Sequence, residues 1–272
     1  MVTNGVSQPL SDSLAAYVKQ LPSPTRVSIA TRSLTDSRKS FYYRADERVP
    51  SASVIKLPIM IEIMERVRAG LLDLDKMHSL LDSEKTGGDG VLKTYPHQRQ
   101  VSYRDMLRLM LIQSDNTATN IFINELGRDA INRRIRQLGL TKTQLNRVMM
   151  DTLAARQGRE NYVTAGEMNV LLEKIYRKQV ATPNLCDQMI DILKQNEDTV
   201  TIPRLLPKGT VVAHKTGTLP YVRGDAAIVY ARSEGNVEPF LLSVFVEGVS
   251  QFEAERIIGD VALVCHSYFS RQ

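Results

Sequence analysis

Hydrophobic and polar positions change period four times along the chain. A short amphipathic segment around residues 14–21 predicts a helix, after which "RVSIATRSL" and "SFYYRADE" alternate like two strands joined by a turn. From Ser53 to about Gln195 the pattern is almost wholly helical: "MLRLMLIQ", "ATNIFINELG", "DAINRRIRQLG", "AGEMNVLLEKIYRK" and "LCDQMIDILKQ", with Gly127 and Gly139 as stop signals. Strand patterns return in "GTVVAHKTGT", "GDAAIVYAR" and "PFLLSVFVEG", and a helix from about Glu253 closes the chain. Strands at both ends most simply share one antiparallel sheet. The expected fold is therefore mixed α and β: a five-stranded antiparallel sheet with flanking helices from residues 1–48 and 197–272, and an all-helical domain inserted at 49–196. A cleft between the two parts is the usual place for a site.

Composition narrows this picture more than it extends it. A chain of 272 residues, 43% of them hydrophobic, can bury a full core. No run reaches 18 uninterrupted apolar residues, so no membrane span is expected. The formal charge of +5 is spread over patches such as "NRRIRQ" that lack aromatic interleaving, which argues against a nucleic-acid partner. The four histidines share no ligand spacing with each other or with the two cysteines, so neither a metal nor another cofactor is expected. Cys186 and Cys265 lie in apolar helical contexts and read as buried free thiols. A monomer is expected. The first residues carry no basic stretch followed by an apolar one, consistent either with a cytosolic protein or with a leader already removed.

Candidate chemistry starts at "VPSASVIKLPIMIEIM". From Val54 to Met64 the only charged residues are Lys56 and Glu62, on a helix apolar around its circumference. Ser53 and Lys56 are three apart and stack on one face. Burial favours a neutral amine, and a neutral lysine one turn from a hydroxyl is a base for it. The plainer alternative is a serine N-cap beside a lysine that reaches out to water. "IQSDNTATN" supplies Ser114-Asp115-Asn116, readable as another N-cap or as a proton-passing hydroxyl with an amide for a substrate carbonyl. Lys-Thr-Gly occurs twice. Lys85-Thr86-Gly87 lies in a glycine-rich loop, whereas Lys215-Thr216-Gly217 lies in a strand whose edge can offer backbone amides and cationic donors. His214 falls on the opposite face of that strand and reads as structural.

The ordered set S-x-x-K, S-D-N, K-T-G resembles the class A β-lactamase family and the penicillin-interacting serine enzymes related to it. The resemblance runs nearly end to end. It implies Ser53 as nucleophile, Lys56 in its activation and Ser114 as proton relay to the departing nitrogen. It further implies Asn116 on the substrate amide, and Lys215, Thr216 and Gly217 beside the substrate carboxylate. The amides of Ser53 and Thr218 would form the oxyanion hole, and Arg223, one residue closer than the family spacing, would assist with the carboxylate. The substrate is expected to be a β-lactam or a cell-wall peptide, which would put the mature protein in the periplasm or outside the cell.

The resemblance breaks at residues 145–168, "LNRVMMDTLAARQGRENYVTAGEM". The family carries there a glutamate two residues after an arginine, and an asparagine beyond it, which together hold the hydrolytic water. Here Met149 stands in the glutamate's position and Leu153 in the asparagine's. Asp151 and Glu160 are the candidate substitutes, each also readable as a cap or as the ion-pair partner of Arg147. A β-lactamase with a non-standard deacylation loop is the leading expectation. A D,D-peptidase, a slowly deacylating penicillin-binding or sensing module, and a serine esterase on the same fold are the alternatives.

Overall fold

A computed structural model of the chain describes residues 9–233 and 236–270. After helix α1 (Leu10–Lys19) come strands β1 (Arg26–Ser33), β2 (Ser40–Tyr43) and β3 (Val49–Pro50), then helix α2 (Lys56–Arg68). Two short strands, β4 (Met77–Ser79) and β5 (Gln100–Ser102), precede helices α3 (Tyr103–Ile112), α4 (Asn116–Leu126), α5 (Arg128–Gln137) and α6 (Thr152–Arg156). Strand β6 (Tyr162–Val163) leads into α7 (Ala165–Tyr176) and α8 (Pro183–Leu193). The chain ends with β7 (Val211–Leu219), β8 (Val222–Ser233), β9 (Asn236–Glu247) and α9 (Gln251–Phe269).

The main sheet is five-stranded and antiparallel in the order β2-β1-β9-β8-β7. Both chain ends build it, and β7 is a free edge. One face packs on α1 and α9 through Leu14, Phe240, Ile257, Val261 and Phe269. On the opposite face Ala30, Ala226, Ile228, Leu241 and Phe245 run into the core of the helical block without a break. Helix α2 is the centre of that block, with ten successive residues from Lys56 to Glu65 buried. Glu62 is paired there, with Arg66 and Arg134 donating to it at 2.8 and 2.9 Å.

The helical reading of residues 53–195 misses two small strand pairs, β3 with β6 and β4 with β5. Each strand is two or three residues long, too short for an alternating pattern to register. Strand β2 stops at Tyr43, earlier than "SFYYRADE" suggests, because Arg44 turns the chain with φ of 47°. Helix α9 starts at Gln251, with the Ser250 side chain capping Glu253 N. Cys186 and Cys265 are buried and free, and burial pushes the Cys265 thiol up to about 12. Among the described residues, no helix is long and apolar enough to cross a membrane.

Candidate active site

Ser53 sits on a turn held from two sides. Strand β3 pairs with β6, and Ser51 N donates to Asn161 O at 2.8 Å. Ala52 then takes a left-handed φ of 44°, and one 3-10 turn delivers the chain to Lys56, the first residue of α2. A non-glycine residue at positive φ is a strained point that the surroundings must enforce. The second side is β7. A Cβ added at Gly217 would lie 2.9 Å from Ala52 Cβ and 3.0 Å from Ser53 N, so glycine lets the strand edge close on the serine.

The Lys56 side chain is fully buried. Its Nζ lies 3.0 Å from Ser53 Oγ, 3.1 Å from Ser114 Oγ, 3.1 Å from Asn116 Oδ1 and 2.6 Å from Ser114 O. Burial and the neighbouring charge of Lys215 hold Lys56 well below the usual lysine range, against Asp89 and Asp115. A neutral amine has two hydrogens for the Ser114 carbonyl and the Asn116 amide oxygen, and one lone pair for a serine hydroxyl. Of the two sequence readings of Lys56, the structure therefore excludes the one that sends it out to water.

Ser114 stands between two lysines. Its Oγ is 3.1 Å from Lys56 Nζ and 3.2 Å from Lys215 Nζ, and its backbone takes a left-handed φ of 59°. Asp115 does the capping: its side chain accepts from Ala118 N and Leu92 N at 2.9 and 2.8 Å. Asn116 turns its other amide end to Gly87 O at 3.1 Å, so the first Lys-Thr-Gly copy walls the site without entering its chemistry. Burial brings Lys215 down to about 8, against the pull of Asp225, Asp198 and Asp89. His214 is buried on Asp225 at 3.0 Å.

Two cavities meet at Ser53. One, of about 620 Å³, is lined among others by Ser114, Asp198, Lys215, Thr216, Thr218 and Arg223. The other, of about 650 Å³, is lined among others by Met149, Met150, Ala155, Leu219, Pro220 and Tyr221. Ser53, Asp89 and Thr218 border both.

A model described as the beta-lactamase enzyme family matches residues 9–269. The chain belongs to that family. It is 26% identical over 240 residues to the beta-lactamase VEB-1 of Pseudomonas aeruginosa, covering 82% of this chain and 79% of that one. Similar solved structures include a beta-lactamase from Sphaerobacter thermophilus, with TM-score 0.84 and 25% identity over 96% of this chain and 97% of that one. A mutant of PBP-A, determined as an acyl-enzyme complex with penicillin G, matches with TM-score 0.86 and 25% identity over 96% of each chain. The fold is thus that of the class A β-lactamases, and the chain is a β-lactamase-like serine hydrolase.

In the loop at 145–168, where the resemblance to the family breaks, an ion pair holds its base. Arg147 pairs with Glu160 at 2.7 Å, both side chains buried. Glu160 also accepts from Asn161 N at 2.7 Å and from the Tyr221 hydroxyl at 2.9 Å. Asn161 Oδ1 in turn accepts from Asn146 N and Arg147 N at 2.7 and 2.9 Å. Asp151 caps α6 by accepting from Ala154 N at 2.9 Å and lines neither cavity. The structure does not bring Asp151 to Ser53, because a carboxylate three residues before a helical amide is spent on that amide. Leu153 is 65% exposed and lines neither cavity.

Sequence reasoning missed two sets of residues here. Asn120 clamps Met149, with Met149 N donating to Oδ1 at 2.7 Å and Nδ2 donating to Met149 O at 3.1 Å. The only sequence signal was its position at the end of "SDNTATN". At the charged end, Arg223 donates to Asp198 at 2.6 Å and to Thr218 Oγ1, and pairs with Glu255 at 3.3 Å. Nothing in "NEDTV" or "FEAER" distinguishes these acids from solvated surface.

Proposed function

We propose that the chain opens β-lactams by acylation of Ser53. Lys56, neutral in its buried position, takes the Ser53 hydroxyl proton as Oγ bonds to the carbonyl carbon. The ring C–N bond then breaks, and its nitrogen receives a proton through Ser114. Asn116 holds the substrate side-chain amide, and Lys215, Thr216 and Thr218, with Arg223 behind them, receive the carboxylate beside Gly217. The amides of Ser53 and Thr218 stabilise the oxyanion. The observation that carries this reading is the position of Lys56 Nζ, about equidistant at 3.0 and 3.1 Å from the hydroxyls of Ser53 and Ser114. The family membership, the likeness to VEB-1 and the penicillin adduct of a PBP-A mutant support it.

A second reading is favoured by one observation: the loop's carboxylates Asp151 and Glu160 are bound to a helix amide and to Arg147. An ester on Ser53 clears only when a water is oriented and deprotonated. With those acids occupied, the adduct persists, as expected of a penicillin-binding protein, and cell-wall peptides become the natural substrates. Both substrate classes point to the periplasm or the exterior. Every group invoked comes from one chain, in keeping with a monomer.

Intact-mass spectrometry through a time course with benzylpenicillin, with Ser53→Ala as control, tests both readings. An adduct on the native chain that clears as penicillin is consumed supports β-lactam hydrolysis. An adduct that stays supports the penicillin-binding reading. Loss of labelling by at least roughly 10⁴-fold is expected for Ser53→Ala. A native chain that forms no adduct overturns both.

A further inference from the structure

We infer that Asp198 occupies the substrate-carboxylate seat of the cleft in the free protein and sets how tightly a carboxylate-bearing ligand binds. This rests on the acyl-serine reading above and names a specificity-determining residue within it.

Arg223 is the group expected to meet a substrate carboxylate, yet both terminal nitrogens of its guanidinium already donate to side chains of the chain, while Nε, near Glu255, makes no hydrogen bond. Nη2 donates to Asp198 Oδ2 at 2.6 Å, Nη1 donates to Thr218 Oγ1, and Nε faces Glu255 Oε1 at 3.3 Å. The Thr216 hydroxyl adds a weaker contact to the same Asp198 carboxylate. Two of the donors expected for the ligand's anion, Arg223 and Thr216, therefore converge on an anion belonging to the chain. Of the two acids, Glu255 is the more enclosed, its side chain 12% exposed against 25% for Asp198.

Asp198 is also tethered where it can compete. Its own amide donates to Asn196 Oδ1 at 2.9 Å, and Asn196 Nδ2 donates to His214 O of β7 at 3.1 Å. A tethered group acts at an effective concentration far above that of a dilute ligand. Burial pushes the Asp198 carboxyl up, but the charge of Arg223 and the bonds it receives outweigh this and hold it below the usual range. It is an anion throughout the neutral range, so the competition never switches off. An incoming carboxylate must displace it from Arg223 and then sit beside it.

The test compares benzylpenicillin with its methyl ester, binding non-covalently to Ser53→Ala chains with and without Asp198→Ala. Isothermal titration calorimetry gives each Kd, and melting curves verify that each chain is folded. The acid is expected to bind roughly tenfold more tightly once Asp198 is removed, about the worth of one charge-assisted hydrogen bond regained. The ester is expected to change less than twofold. Asp198→Asn keeps the shape and loses the charge, so it should give a smaller gain for the acid alone. An equal change for acid and ester, no change, or weaker binding of the acid overturns the proposal, as does failure of the acid to bind either chain. Failure of the Ser53-intact chain to acylate would instead remove the serine-hydrolase reading, while the acid-to-ester ratio still decides the role of Asp198.

Discussion

The two cavities that meet at Ser53 are nearly equal in size, about 620 and 650 Å³, and opposite in character. The first is walled by Lys215, Arg223, Asp198 and Ser114, the second largely by Met149, Met150, Leu219, Pro220 and Tyr221. On the acyl-serine reading, forming an ester on Ser53 calls for a base, a relay and an anion seat, and Lys56, Ser114 and the Lys215–Arg223 side of the charged arm are the groups proposed for them. Clearing that ester requires a water held by an acceptor, and the apolar arm presents thioethers where the family presents a carboxylate. On that reading the acylation half of the reaction has its groups assembled, and the adduct's lifetime decides what serves the other half. The loop is nonetheless ordered by specific contacts, the Arg147–Glu160 pair and the Asn120 clamp.

The comparison breaks first at Lys56. Lys56→Met keeps the volume and removes the base, and acylation by benzylpenicillin in stopped-flow measurements should fall by roughly 10²–10⁴-fold. If the rate is unchanged, the charged arm does not activate Ser53. Met149→Glu acts on the other arm. It introduces an acid where the apolar wall now stands, and the lifetime of the acyl adduct should shorten by about 10–100-fold, with acylation little altered.

A smaller effect comes with pH. Acylation efficiency should rise as Lys56 loses its proton through its lowered pKa. It should then fall above about 8, where Lys215 loses the charge that seats the carboxylate. The alkaline fall should be about tenfold per pH unit for a carboxylate substrate and absent for its ester. Least of all, Asp151→Asn should change adduct lifetime less than twofold, because asparagine caps a helix about as well as aspartate. A clear slowing would bring Asp151 back as the base.

Much of the charged arm was legible in the residues. A lysine among valine, isoleucine and methionine has little solvated face to occupy, so "SVIKLPI" raised the chemistry, but a base for Ser53 and a lysine reaching out to water both fitted it until burial decided. Ser114 and Lys215 follow from short motifs in fixed order. Asp198 and Glu255 were not legible, because an acid in a polar stretch looks the same whether it faces water or an arginine from a distant strand. The Asn120 clamp was hidden for a related reason: it bonds to backbone, and backbone leaves no mark in composition. Asp151 misled in the other direction. Its place two residues after Met149, where the family carries its glutamate, suggested a substitute base, while the local signal of an acid before "TLAAR" described a helix cap. The small strand pairs at β3–β6 and β4–β5 escaped because two or three residues carry no period.

Gly217 has a consequence of another kind. The gap between the edge of β7 and the Ser53 turn is gauged by a side chain that does not exist, and one added carbon would touch Ala52 Cβ at 2.9 Å and Ser51 O at 3.0 Å. The aperture that admits an acyl group is therefore held to the tolerance of a single methyl. Laboratory selection for bulkier substrates should leave position 217 untouched and spend its changes on the walls around Met150, Pro220 and Asp198, so that an alignment of evolved variants would read as a fixed gauge set in a mobile frame.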